Sequence, residues 1–89
     1  MDERTLEKTL VDLLTRLGVT VRREQIDYGS GGYCRLDDEP LIVLPPELTT
    51  AKRVEVYLGA LRRLDTSGIF IPPVIRDLME DGETGPDIT

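Results

Sequence analysis

Leu6, Leu10, Leu13, Leu14 and Leu17 fall at i, i+4, i+7, i+8 and i+11, one apolar stripe at the period of an α-helix over residues 3–17. Asp2 and Glu3 suit the N-terminal end of its dipole and Arg16 the C-terminal end, while Gly18 supplies a left-handed terminator. The period then drops to 2. Val19-Thr20-Val21-Arg22-Arg23 alternates as a half-exposed strand that could run on towards Ile26. Tyr28-Gly29-Ser30-Gly31-Gly32 reads as a turn. In a second strand, Tyr33-Cys34-Arg35-Leu36, alternation sends Cys34 and Leu36 to one face and Tyr33 and Arg35 to the other. Asp37-Asp38-Glu39-Pro40 has turn chemistry, Leu41-Ile42-Val43-Leu44 is a third strand, and Pro45-Pro46 ends it. Short connections predict that the three strands form an antiparallel meander.

The third strand is apolar on both faces, which a sheet covered on one side does not require. Its second face therefore calls for a cover, either the C-terminal segment or a partner chain.

Residues 50–64 carry the next helical pattern, with Ala51, Val54, Tyr57, Leu58, Leu61 and Leu64 in one arc and Thr49 or Thr50 as N-cap. Arg62 and Arg63 favour its C-terminal dipole, and Val56 falls outside the arc beside Lys52, Gly59 and Arg63. Ile69-Phe70-Ile71-Pro72-Pro73 is extended and apolar, suited to a fourth strand or to lying over the sheet. Pro73 opens a short helix from Val74 to about Asp81, which Gly82 ends, and residues 83–89 read as a flexible polar tail. The expectation is one α+β domain over residues 1–82. It has an N-terminal helix, a three-stranded antiparallel meander, a second helix on the same sheet face, and a C-terminal extended segment with a short helix.

Composition narrows what such a domain does. Its 89 residues support one aliphatic core without a roomy cavity, and Tyr28, Tyr33, Tyr57 and Phe70 are the only aromatics. Seventeen acidic against 11 basic residues give a net charge of −6. The basic residues come as Arg22-Arg23, Arg62-Arg63 and singles with acids nearby, so no basic stripe awaits nucleic acid or an anionic membrane. No apolar run approaches the roughly 20 residues of a membrane span. Met1-Asp2-Glu3-Arg4 is helical in pattern and unlike a signal peptide. Cys34 is the only cysteine, which excludes an internal disulfide and fits a reducing cytoplasm. The surplus of acids and of Arg over Lys would also suit a high-salt cytoplasm.

The chain contains no histidine. Histidine-ligated zinc, Ser-His-Asp triads and Cys-His pairs are therefore excluded within one chain, and one thiol cannot build a thiolate metal site. A two-carboxylate hydrolase stays open in principle, but it needs a cleft that holds two acids at a set separation, and most acids here belong to turns, helix ends or polar faces. Gly29-Ser30-Gly31-Gly32 leads into a strand with no lysine following, so it reads as a hairpin turn before it reads as a phosphate cradle. Cys34 and Arg35 point to opposite faces, which leaves Cys34 a buried structural residue with no cation to activate it. Asp37-Asp38-Glu39 lacks the ligand spacing of a calcium loop.

Gly32-Tyr33-Cys34-Arg35-Leu36, then Pro40-Leu41-Ile42-Val43-Leu44, the Leu48-Thr49 approach to a helix ending Ala60-Leu61, and Ile69-Phe70-Ile71-Pro72-Pro73-Val74-Ile75-Arg76 together resemble a family of short uncharacterised bacterial proteins. The resemblance spans about residues 5–80 and implies no particular activity. A more distant similarity is to small zinc peptidases, whose helix bears H-E-x-x-H. Glu55 of Val54-Glu55-Val56-Tyr57-Leu58 matches the general base, while Val54 and Leu58 occupy the ligand places, which implies a metal-free scaffold.

These observations lead to the expectation of a non-enzymatic protein–protein interaction or accessory module, bound to a partner protein or to a second copy, without cofactor, catalytic residue or metal ligand. Tyr33, Arg35, Leu41, Val43, Val56 and Phe70 are its candidate contact residues. The rival expectation is a ligand binder or carboxylate enzyme built on Arg35, Tyr33 and the glycine loop.

Overall fold

In a computed structural model that describes residues 2–24 and 32–84, the chain is an α+β unit of three helices and one three-stranded sheet. Helix α1 spans Glu3–Arg16 and strand β1 spans Thr20–Arg23. Strands β2 (Gly32–Leu36) and β3 (Glu39–Leu44) follow, then helices α2 (Thr50–Arg63) and α3 (Pro73–Thr84). The glycine-rich stretch 28–31 and the tail beyond Thr84 lie outside the described residues.

The helix ends obey local chemistry. The Asp2 carboxylate caps α1 by accepting from the Thr5 N–H at 2.8 Å, and Thr49, not Thr50, caps α2 through Lys52 N–H at 3.2 Å. At the far end of α1, Val19 N–H reaches Leu14 O and Gly18 N–H reaches Thr15 O, the paired bonds of a Schellman motif. That motif needs a left-handed residue, which Gly18 supplies at φ 87°.

The sheet is mixed, in the order β1-β3-β2, and so is not the expected meander. β3 pairs antiparallel with β2 and parallel with β1, with Thr20 beside Leu41 and Arg23 beside Leu44. The stretch between Arg23 and Gly32 is too long to impose a tight hairpin, so nothing local forces β1 against β2. The most apolar strand takes the centre instead, where neighbours on both sides shield it.

Only β2 and β3 form a tight hairpin. Asp37 and Asp38 have φ of 54° and 68°, two left-handed residues in a row, as a two-residue type I′ turn demands. Leu36 and Glu39 close the turn as a hydrogen-bonded pair, which makes Arg35–Pro40 a non-bonded pair. Pro40 then points its nitrogen to the β1 side, before β1 begins to pair at Leu41, and costs the ladder nothing.

Both α1 and α2 pack on one face of the sheet. Leu10, Leu13 and Leu14 from α1 meet Ile42 and Leu44 from β3, and Val54, Tyr57, Leu58 and Leu61 from α2. Among its described residues, the segment after α2 forms no strand and does not cover the sheet's other face. Ile71 and Ile75 are buried in this same core, and α3 packs on α2. Helix α3 also runs through Gly82 to Thr84, beyond the expected stop. One glycine in a helix costs about 1 kcal/mol, too little by itself to end it.

Candidate functional site

The least ordinary local chemistry lies where α1, α2 and β1 meet. Arg53 grips the Glu7 carboxylate with two bonds, Nε to Oε2 at 2.6 Å and Nη2 to Oε1 at 3.1 Å. Tyr57, itself almost fully buried, donates its hydroxyl to Glu7 Oε2 at 3.3 Å, and Arg23 of β1 approaches the same oxygen at 3.4 Å. Arg53 also donates to the Leu48 carbonyl and to Thr50 Oγ1, so its guanidinium is committed on every side. Both ion-pair partners are largely enclosed, with side-chain exposures of 12% for Arg53 and 13% for Glu7.

Electrostatics follow the geometry. The Arg53 bond holds the Glu7 carboxyl below the usual carboxylate range, against a smaller opposing effect of burial. The same pairing raises Arg53, and burial together with the Glu7 charge raises Tyr57. Glu7 is thus a fixed anion with its lone pairs taken, suited to clamping α1 onto α2 and ill suited to taking up a proton. A shallow groove of about 610 Å³ runs beside it, with Val11 and Val21 as apolar lining and Lys8, Asp12 and Arg23 at its rim.

The candidate contact residues do not form one patch. Pairing places Thr20, Leu41 and Cys34 in one row, and Arg22, Val43 and Gly32 in the next, on the sheet face opposite the helices. Leu36 continues this face and is 59% exposed. Among the described residues no helix packs there. Leu41 is only 9% exposed, yet it stands outside the helix-facing core. Thr20 and Cys34 flank it in the sheet, and both are exposed. Cys34 belongs to the same open face and is exposed, which corrects its expected burial.

Tyr33 and Val56 do come together, on the other side of the sheet. They line a slot of about 310 Å³ between β2 and α2, with Gly32, Gly59, Ala60 and Arg63. Phe70 stands apart in the loop before α3, 73% exposed. Arg35 is exposed on the hairpin and donates to the Asp38 carbonyl at 2.9 Å. No described acid pair converges on it.

Glu55 faces solvent and approaches Lys52 at 3.9 Å, while Val54 and Leu58, at the places of the peptidase ligands, are in the core. Among the described residues no cluster of His, Cys, Asp or Glu could hold a metal ion. No described helix is long and apolar enough to cross a membrane.

Sequence reading missed the Glu7–Arg53–Tyr57 cluster. The partners lie 46 and 50 positions apart, and Tyr57 fits the apolar arc of α2 without revealing what its hydroxyl meets. The available signal is a charged residue, Arg53, next to that arc. No family model, curated protein or solved structure matches the chain, so the resemblance to short bacterial proteins rests on its quoted residues alone.

Proposed function

We propose that this chain is a non-enzymatic protein–protein interaction or accessory module, offering the helix-free face of its sheet to a partner protein. One observation carries the reading: Leu36, Leu41, Val43 and Cys34 share a face with no described helix over it, and Leu36 is more than half exposed. Apolar side chains collected on a sheet face, with Thr20 and Arg22 at one margin and Glu39 at another, have the make-up of a contact surface with a polar rim. Chemistry at the Glu7 cluster is opposed by the bonds that already occupy its carboxylate. The net charge of −6 argues against nucleic acid or an anionic membrane as the partner, and the single thiol suits a reducing cytoplasm.

The test is affinity capture from the source cell with the wild-type chain and with a Leu36→Lys, Val43→Lys double variant, read by mass spectrometry. A protein retained by the wild type and lost with the folded variant is the expected result. Identical captures by both would remove the face from the proposal.

A further inference from the structure

Phe70 is the chain's single phenylalanine, and it is almost three-quarters exposed. Val74, 41% exposed, follows at the start of α3, and exposed Asp77 lies one helical turn further on. This is a protruding apolar knob with an anion beside it. The slot between β2 and α2 has the opposite character. Tyr33 offers a ring, Val56 an aliphatic wall, Gly59 a floor without a side chain, and Arg63 an exposed cation at the rim. A Cβ built on Gly59 meets nothing within 4 Å, so the slot is empty at its base. Among the described residues, neither the Arg63 nor the Asp77 side chain has a hydrogen-bond or ion-pair partner.

We propose that two copies of this chain associate reciprocally, Phe70 and Val74 of each entering the Tyr33–Gly59 slot of the other, with Asp77 paired to Arg63. Charge complementarity selects a second copy as the occupant, because one chain carries both an anion beside the knob and a cation beside the slot, neither with a partner among the described residues. A two-fold axis uses each twice. Tyr33 and Arg63 are also the groups that favour an aromatic guest, by ring–ring and cation–π contact. An aromatic side chain buries about 150–250 Å², so two knobs and two slots bury on the order of 600–1,000 Å² in all. That is the scale of a weak, transient interface. This contact is separate from the helix-free sheet face and does not depend on it.

Sedimentation equilibrium of the full chain between about 10 µM and 1 mM tests the proposal. The wild type is expected to pass from monomer to dimer, and Phe70→Ala to weaken association at least tenfold at unchanged helicity. Gly59→Gln fills the slot with a better helix former, so it should weaken association while the melting temperature of the monomer rises. Misfolding would lower both. Charge reversal separates the specific pair from net repulsion between acidic chains. Asp77→Arg makes the chain less acidic and would strengthen non-specific association, whereas the proposed pairing makes it weaken association, as Arg63→Asp does, with the double reversal restoring it. A chain that stays monomeric at 1 mM overturns the proposal. So does a dimer indifferent to Phe70→Ala, or one lost instead with Leu36→Lys, which would join copies through the sheet face.

Discussion

The two faces of β3 are built from the same kinds of residue and have different fates. Ile42 and Leu44 turn towards α1 and α2 and are fully buried, while Leu41 and Val43 turn the other way, where no described helix packs. Leu41 is nevertheless only 9% exposed, although it stands outside the core that the helices enclose. One strand thus has a face enclosed by helices and a face that no described helix covers, and the enclosed face should contribute more to stability.

Truncation of each face breaks or upholds this contrast most directly. Ile42→Ala leaves a cavity among enclosed side chains and should cost about 3–4 kcal/mol, while Val43→Ala should cost about 1 kcal/mol or less. Urea unfolding at matched m-values measures both, and equal losses would mean that the outer face is as enclosed as the core. Next in size is the clamp on the helix side. Arg53→Met strands the Glu7 carboxylate and should cost about 2–3 kcal/mol at pH 7. Because pairing depresses the Glu7 pKa, its contribution is complete above the ordinary carboxylate range and fades as pH falls through the folded-state value. The gap between wild type and Arg53→Met should therefore narrow in denaturation series run below about pH 4, and a constant gap would assign the loss to packing.

The hairpin turn comes third, because it fixes which residues face which way. A slip of one residue between β2 and β3 would exchange the two faces, and the turn at Asp37-Asp38 prevents it. Two left-handed aspartates are strained where Asn-Gly is not, so Asp37→Asn with Asp38→Gly should stabilise the fold by about 0.5–1 kcal/mol in thermal melts. The smallest effect belongs to the outer rim. Leu36→Lys should change stability by no more than about 0.5 kcal/mol, in keeping with a side chain already 59% exposed.

Much of the local structure was legible without coordinates, residue by residue. The leucine stripe of α1, the glycine that ends it, the alternation of Cys34 and Leu36 against Tyr33 and Arg35, and the two-sided apolarity of Leu41–Leu44 all appear where periodicity puts them. Of the two covers expected for the second face of β3, the C-terminal segment or a partner chain, the described part of the C-terminal segment lies elsewhere. Ile71 and Ile75 are apolar for a different reason, to complete the core beside α2. Of the contact residues, Tyr33 and Val56 meet in one slot, whereas Leu41 and Val43 are separated from them by the thickness of the sheet.

The sequence by itself determined most of the elements, the glycine that ends α1, the turn chemistry between β2 and β3, and the absence of histidine and of a second thiol. These depend on neighbours within a few positions or on counting. Tertiary structure alone decided that β3 sits between β1 and β2, that Glu7 meets Arg53 and Tyr57 from across the chain, and that no described helix packs on one apolar face. Strand order and long-range ion pairs follow from how whole elements share a limited core, and apolar pattern states how much surface must be buried without stating against what.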